Sequence, residues 1–388
     1  MSTPPSDRTA GPLGQGDDER TVVGGTSVNA GSALPFGHKL QEYVIEGLIG
    51  EGGFGIVYLA RDTRLGRNVA LKEYMPANLA TRSENHTVSV RSERYRETFE
   101  MGLRSFVNEA QLLASFDHPS LVKVYRFWEE NGTAYMVMPY YQGPTLKKWL
   151  GELGKAPDER WLMALLAPMI DALQQLHHDH CYHRDIAPDN ILLLPLQGTQ
   201  ADASAITVRP LLLDFGAARR VIGDMTHALT VILKPGYAPI EQYADSVAMK
   251  QGPWTDVYAL CAVLYACVTG RAPTPSVSRM MSDDMVPAAE AGAGRYSPPF
   301  LEAIDAGVAV RPEARPQSME ALRELFSTTF HGQVNFSTLL AQAAPAPAHI
   351  AAAPPTARTP TRIDPVMLAS PESDQTIAVP KPHKPARA

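Results

Sequence analysis

The chain has 388 residues, 45% of them apolar and 20% charged, with a formal net charge of -6. That balance is enough for a substantial core, and with no block of Lys or Arg it gives no bulk attraction to nucleic acid or anionic membrane. Three cysteines (Cys181, Cys261, Cys267) are too few and wrongly spaced for a disulfide framework or a zinc site, and that usage fits a reducing cytoplasm.

Composition divides the chain into three zones. Residues 1–37 are rich in Gly, Ser, Pro, Asp and Thr without hydrophobic periodicity; disorder is expected, and no apolar signal-peptide core is present. Residues 43–330 are mixed and periodic, and read as one folded domain. Residues 340–388 turn into Ala/Pro repeats and then a Pro/Thr/Lys-rich tail, a second expected disordered segment. The longest apolar run, Val257 to Val268, has the length of a buried core helix and falls short of the roughly 18 residues of a membrane span, so no span and a cytoplasmic location are expected.

Within the middle zone, Tyr43 to Ile49, Ile56 to Arg61 and Asn68 to Glu73 read as strands separated by Gly-rich turns. Between the third of these and the helical pattern of Arg94 to Phe116 (Phe99, Leu103, Phe106, Ala110, Leu113) lies an extra excursion around Met75 to Tyr95. Val122 to Trp128 and Ala134 to Met138 read as further strands. Beyond Trp149 helices dominate, with apolar faces at Leu162 to Leu176, Val257 to Val268 and Met319 to Phe326. The expected fold class is α+β: a small β-rich lobe followed by a larger helical lobe.

Three sequence signals carry chemistry. Gly50, Gly52, Gly53 and Gly55 form a glycine loop whose backbone can close over phosphates without intervening Cβ atoms. A dinucleotide-binding fold uses the same spacing but expects a helix next, whereas Ile56-Val57-Tyr58-Leu59 continues as a strand. One strand later, Val69-Ala70-Leu71-Lys72 puts an ammonium under that loop, and Glu109 on the following helix supplies a carboxylate to hold it; alone, such a lysine also reads as a snorkelling surface side chain. The third signal is His183-Arg184-Asp185-Ile186-Ala187-Pro188-Asp189-Asn190 followed by Leu211-Leu212-Leu213-Asp214-Phe215-Gly216. Phosphoryl transfer needs a group to orient the attacking hydroxyl, which Asp185 fits, and oxygen ligands for Mg2+, which Asn190 and Asp214 fit. His177, His178 and His180 beside this loop imitate a metal cluster; their place at a helix end leading into a turn predicts solvent exposure instead.

Taken together, these motifs resemble the protein-kinase superfamily across roughly Tyr43 to Phe330. Lys72-Glu73-Tyr74-Met75-Pro76, Gly132 to Met138 and Lys234 to Tyr243 further resemble bacterial serine/threonine kinases of eukaryotic type. The resemblance implies a bilobal kinase fold, ATP and Mg2+ as cofactors, and protein substrates. It implies an ATP site drawn from the glycine loop with Ile49 and Val57, from Ala70 and Lys72, and from Leu192. Met138 would stand at the back of the adenine pocket, with Pro139 to Tyr141 as the hinge; Pro139 lacks an N–H, but its carbonyl can still accept and the Tyr141 N–H can still donate. Asp256 would anchor the catalytic loop from a buried helix, and Glu241 would pair with Arg315.

Two positions depart from the family pattern. The lysine usual two residues after the catalytic aspartate is Ala187, and the threonine usual seven residues before the glutamate matched by Glu241 is Lys234. One reading is a weakened enzyme or a pseudokinase that binds nucleotide and partners without catalysis. The other is that Lys234 supplies the missing ammonium as a catalytic residue. A small-molecule phosphotransferase on a related fold is disfavoured by the span from Asp214 to Glu241, which resembles a protein-substrate platform. Ala187 also weakens the signature separating serine/threonine from tyrosine specificity.

Arg184, directly before Asp185, predicts a phosphate partner on the segment after Gly216, at Thr226 or Thr230, or Asp224 as a built-in substitute. Outside the domain, Thr21 and Thr376 each follow acidic and polar residues and precede aliphatic ones, with Thr361 a third case. Once phosphorylated, such threonines resemble ligands of forkhead-associated domains.

Overall fold

The computed structural model describes residues 32–196, 208–214, 233–243 and 249–327. Its first half is a six-stranded antiparallel sheet in the order β1-β2-β3-β4-β8-β7, built from β1 (Lys39–Leu40), β2 (Tyr43–Gly52), β3 (Gly55–Asp62), β4 (Arg67–Tyr74), β7 (Arg126–Glu130) and β8 (Thr133–Pro139). Strands β2, β3, β4 and β8 run longer than the sequence pattern indicates. Pairing continues through the glycines, Gly50 opposite Val57 and Gly52 opposite Gly55, so the glycine loop is the tip of a hairpin and no helix follows it. Helix α1 (Arg96–Ser115) packs one face inward, burying Phe99, Phe106, Ala110 and Leu113. Glu109 lies on that same buried face, because its spacing from Phe106 and Leu113 repeats the helical period.

The strand expected from Val122 begins only at Arg126. Val122 and Val124 are buried, yet their alternation comes from packing, since the ladder there is replaced by a single parallel bridge between Leu121 and Leu212. The excursion between β4 and α1 folds as a hairpin of β5 (Ala80–Arg82) and β6 (Val88–Val90). Buried beneath it, Arg82 Nη2 lies 2.5 Å from Glu73 Oε2, with side-chain exposures of 3% and 0%. Arg82 also donates to the carbonyls of Ser32 and His86, at 2.6 and 3.0 Å. Tyr58 donates to Glu73 at 2.8 Å and accepts from the Leu34 N–H at 3.0 Å, so residues 32–34 are tied to the sheet through the same carboxylate.

The second half is helical. Helix α2 (Leu146–Leu153) starts on a Thr145 side-chain cap and stops at Gly154, whose left-handed backbone suits glycine. Helix α3 (Glu159–His178) starts on an Asp158 cap. A two-stranded sheet of β9 (Ile191–Pro195) and β10 (Val208–Leu212) follows, then α4 (Pro253–Thr269), α5 (Ser276–Met281), α6 (Ala288–Ala291), α7 (Pro298–Gly307) and α8 (Met319–Ser327). Every residue of α4 from Thr255 to Val268 is buried, Cys261 and Cys267 included, and burial pushes the Cys267 thiol up to about 12. Among the described residues no helix is long and apolar enough to cross a membrane.

Removing one partner of a buried ion pair leaves the other charged and desolvated, which costs about 3–5 kcal/mol. Arg82→Met is therefore expected to lower the urea midpoint by the equivalent of that loss. An unchanged midpoint would mean that Tyr58 and its neighbours satisfy Glu73 without the guanidinium.

Candidate active site

The sheet half presents a lysine between two carboxylates. Lys72 stands in β4 with Val57 on one side of it across the ladder and Met136 on the other. Its Nζ lies 2.7 Å from Asp214 Oδ1 and 3.7 Å from Glu109 Oε1. With 16% of the side chain exposed, this is a held cation, and the snorkelling reading does not apply. Ala70 lies directly opposite Met138, and Pro139 closes β8, with Tyr141 half-buried two residues on; burial pushes the Tyr141 phenol up. Ile49 and Val57 are half-buried on the glycine hairpin. Leu192 stands apart from this sheet, in β9, with Leu211 opposite it and a bridge to Thr145. A Cβ at Gly55 would fall 2.6 Å from the Glu73 carbonyl oxygen, so the hairpin lies against β4 as only glycine permits.

The helical half holds the catalytic-loop motif by its backbone. Asp256, wholly buried in the first turn of α4, accepts from the His183 N–H at 2.8 Å and from the Arg184 N–H at 2.7 Å. Gln242 donates to the Arg184 carbonyl at 2.7 Å. Arg184 has φ +65°, a left-handed conformation unusual for a non-glycine residue, and the bonds on both sides of it oppose its relaxation. The His183 ring is fully buried and meets the Leu213 carbonyl at 2.9 Å, tying the loop to the residue before Asp214. Asn190 donates from Nδ2 to both the carbonyl and the Oδ2 of Asp185, each at 2.8 Å. Lys234 Nζ lies 3.5 Å from Asp185 Oδ1 and 2.9 Å from Asp189 Oδ1.

A family model described as the protein kinase domain matches residues 43–327. The chain belongs to the protein kinase family. It is 32% identical over 232 residues to serine/threonine-protein kinase PrkC of Bacillus subtilis, covering 60% of this chain and 31% of PrkC. It is 30% identical over 296 residues to serine/threonine-protein kinase PknL of Mycobacterium tuberculosis, covering 74% and 66%. The chain thus spans about a third of the length of PrkC and of the PknD kinases of Chlamydia. Among solved structures, the apo form of PpkA-294 is 44% identical, with a TM-score of 0.67 and coverage of 76% of this chain and 99% of that one. The Mycobacterium tuberculosis PknI kinase domain, at 20% identity and a TM-score of 0.54, shares the fold. The two-part α+β kinase architecture expected from the sequence is the one observed.

The kinase fold contains the expected support pair. Arg315 donates to Glu241 Oε1 and Oε2 at 2.7 and 3.2 Å, with both side chains fully buried, and Thr255 donates to the same carboxylate at 2.9 Å. The histidine reading needs one correction. His178 and His180 are exposed, but the His177 side chain is only 8% exposed and hydrogen-bonds Asp256 at 2.8 Å, because the last turn of α3 runs against the start of α4. His177, Gln242 and Asp189 are site residues that sequence reasoning missed; the first sat inside the apparent histidine cluster, and the second beside Glu241. Thr226, Thr230 and Asp224, and the tail residues Thr21, Thr361 and Thr376, lie outside the described residues.

Burial by itself would push the Asp256 carboxyl up; the hydrogen bond and charge of His177, the charge of His183 and the Arg184 amide outweigh it and hold the group below its ordinary 3.8. A carboxyl depressed on folding contributes stability that is present above its unfolded value and lost as pH falls through the folded one, because the unfolded chain takes up the proton first. Asp256→Asn is expected to lower Tm at neutral pH and to flatten the fall of Tm below about pH 4. An unchanged acid slope in Tm against pH would place the acid sensitivity on other carboxylates.

Proposed function

We propose that this kinase domain transfers the γ-phosphoryl group of ATP, with magnesium, to serine or threonine hydroxyls of protein substrates. The observation that carries the reading is the meeting of Lys72, held near Glu109 on the sheet side, with Asp214 from the helical half at 2.7 Å, while the Leu213 N–H on the Asn190 carbonyl at 2.8 Å keeps Asp214 next to the Asp185, Asn190 and Lys234 cluster. Lys72, held by Glu109, binds phosphate oxygens through its ammonium. The glycine hairpin offers backbone N–H groups to the same phosphates, and Ile49, Val57, Ala70, Met138 and Leu192 offer apolar surface to the base, with Pro139 and Tyr141 as its backbone partners.

The donor set suits magnesium. Both bonds from Asn190 Nδ2 go to Asp185, which leaves its amide oxygen to act with the Asp214 carboxylate as a pair of hard oxygen ligands. Bound there, the ion would offset negative charge on the phosphate chain. Asp185 orients the substrate hydroxyl and receives its proton as the hydroxyl oxygen bonds to the γ-phosphorus. The bond from that phosphorus to the β–γ bridging oxygen breaks, and ADP leaves. Lys234 supplies, from 3.5 Å beyond Asp185, the ammonium that Ala187 cannot.

Incubation of the full chain with ATP and magnesium, with phosphosites mapped by mass spectrometry, tests the reading. Asp185→Asn is expected to abolish transfer while ATP still binds. Lys234→Ala should lower turnover roughly 100-fold, the size of one lost charge-stabilising donor. Adding Ala187→Lys to that variant should restore part of the loss. Full activity of Asp185→Asn, or a wild-type chain that binds ATP and transfers nothing, would overturn the assignment in favour of a pseudokinase.

Residues 43–330 form the catalytic domain in this reading, residues 1–37 and 340–388 flank it, and Thr21 and Thr376 are proposed phosphoacceptors. Phosphorylation there would create a ligand for a forkhead-associated domain. Peptides spanning either threonine should bind such a domain from the same cell only when phosphorylated; equal binding without phosphate would remove the partner.

A further inference from the structure

The Lys234 ammonium is reached from two sides, and we propose that Asp189 is the positioning residue that holds it beside Asp185. The inference rests on reading Lys234 as the cation of the transfer site.

Local chemistry fixes the base of Lys234 first. Residues Lys234 to Tyr237 make a tight turn, with the Tyr237 and Ala238 N–H groups donating to the Lys234 carbonyl at 3.1 and 3.0 Å. Pro235 fills the second position and Gly236 the third, with φ +84°, the pattern of a type II turn. A Cβ at Gly236 would lie 2.5 Å from the Pro273 carbonyl oxygen, so the turn sits against the chain just before α5. Ser276, the first residue of α5, donates to the Ala238 carbonyl at 2.9 Å and fixes the far end of the turn. The Lys234 backbone is thus anchored to the helical half.

The tip is a separate problem, because a lysine side chain with four rotatable bonds is a flexible point charge that one anchored Cα does not aim. Asp189 Oδ1 takes it at 2.9 Å, hydrogen-bond distance, while Asp185 Oδ1 stands farther off at 3.5 Å. Asp189 can do this because it sits in the single helical turn Pro188–Asn190, closed by the Asn190 N–H on the Ala187 carbonyl at 2.9 Å and by the Asn190 side chain on Asp185. The Asp189 side chain is 45% exposed, and ion pairs so open to water add little to stability. Its effect is therefore geometric: the ammonium, bonded to Asp189, is held 3.5 Å from Asp185 Oδ1.

The test is a double-mutant cycle on the full chain, with magnesium-ATP and casein as protein substrate. Asp189→Ala should lower kcat about ten-fold, with KM for ATP unchanged within about two-fold, and Asp189→Glu should restore most of the loss. In a Lys234→Ala background, Asp189→Ala should cost nothing further, since a residue acting only through Lys234 has nothing left to act on. Additive losses, or an Asp189→Ala enzyme as fast as wild type or faster, would overturn the proposal. A silent Lys234→Ala would instead remove the underlying reading of Lys234. Acylation of lysines with an amine-reactive ester, read by peptide mass spectrometry, follows the contact independently of turnover. Labelling of Lys234 should rise several-fold in Asp189→Ala, and equal labelling would overturn the proposal even in a chain that transfers no phosphate.

Discussion

A fully buried carboxylate in the first turn of α4, Asp256, carries the backbone N–H groups of His183 and Arg184 and the ring of His177. Ionised carboxylates are costly to bury without donors, and here three donors converge on one group, two of them backbone amides whose direction cannot adjust. The consequence reaches the chemistry. Arg184 is held in a left-handed conformation by its N–H on Asp256 and its carbonyl on Gln242, and that conformation sets the exit direction of the chain into Asp185. Asp185 then receives both hydrogen bonds of the Asn190 amide. A chain of fixed directions therefore runs from the core of the helical half to the candidate base, with no flexible side chain in the first link.

The charges at the site are divided between the two halves of the fold. Lys72 on the sheet side answers Glu109 from its own half and Asp214 from the other; on the helical side, Lys234 answers Asp185 and Asp189. Each lysine thus faces two carboxylates. Lys234, on a different segment from Ala187, lies 3.5 Å from the same Asp185. Beneath the sheet side, the Glu73–Arg82 pair applies the same economy of burial: the inserted β5–β6 hairpin contributes the guanidinium that makes Glu73 tolerable next to Lys72.

Much of this was legible in the sequence. The alternation of β3 and the helical period of α1 and α3 follow from local geometry, since side chains two apart in a strand, or three and four apart in a helix, share a face, while β4, β8 and α4 read as continuous apolar runs. The motif residues were also legible, because glycines at a hairpin tip, a lysine after an apolar run in a strand and an Asp-Asn pair five residues apart are close neighbours in the chain. Boundaries were read less well. Val122 and Val124 alternate as a strand would, yet the chain there makes a single bridge, from Leu121 to Leu212 of β10, a contact no local pattern contains.

What the tertiary structure alone decided is which charges meet. Lys72 and Asp214 are 142 residues apart, His177 and Asp256 79, Glu241 and Arg315 74, and Lys234 and Asp189 45. A carboxylate's partner depends on desolvation and on which donor is delivered within about 3 Å of it. Those are properties of packed elements rather than of spacing along the chain. So residue identity determined the strands, the helices and the inventory of reactive groups. The fold determined that His177 belongs to Asp256 rather than to solvent, and that Lys234 lies within reach of both Asp185 and Asp189.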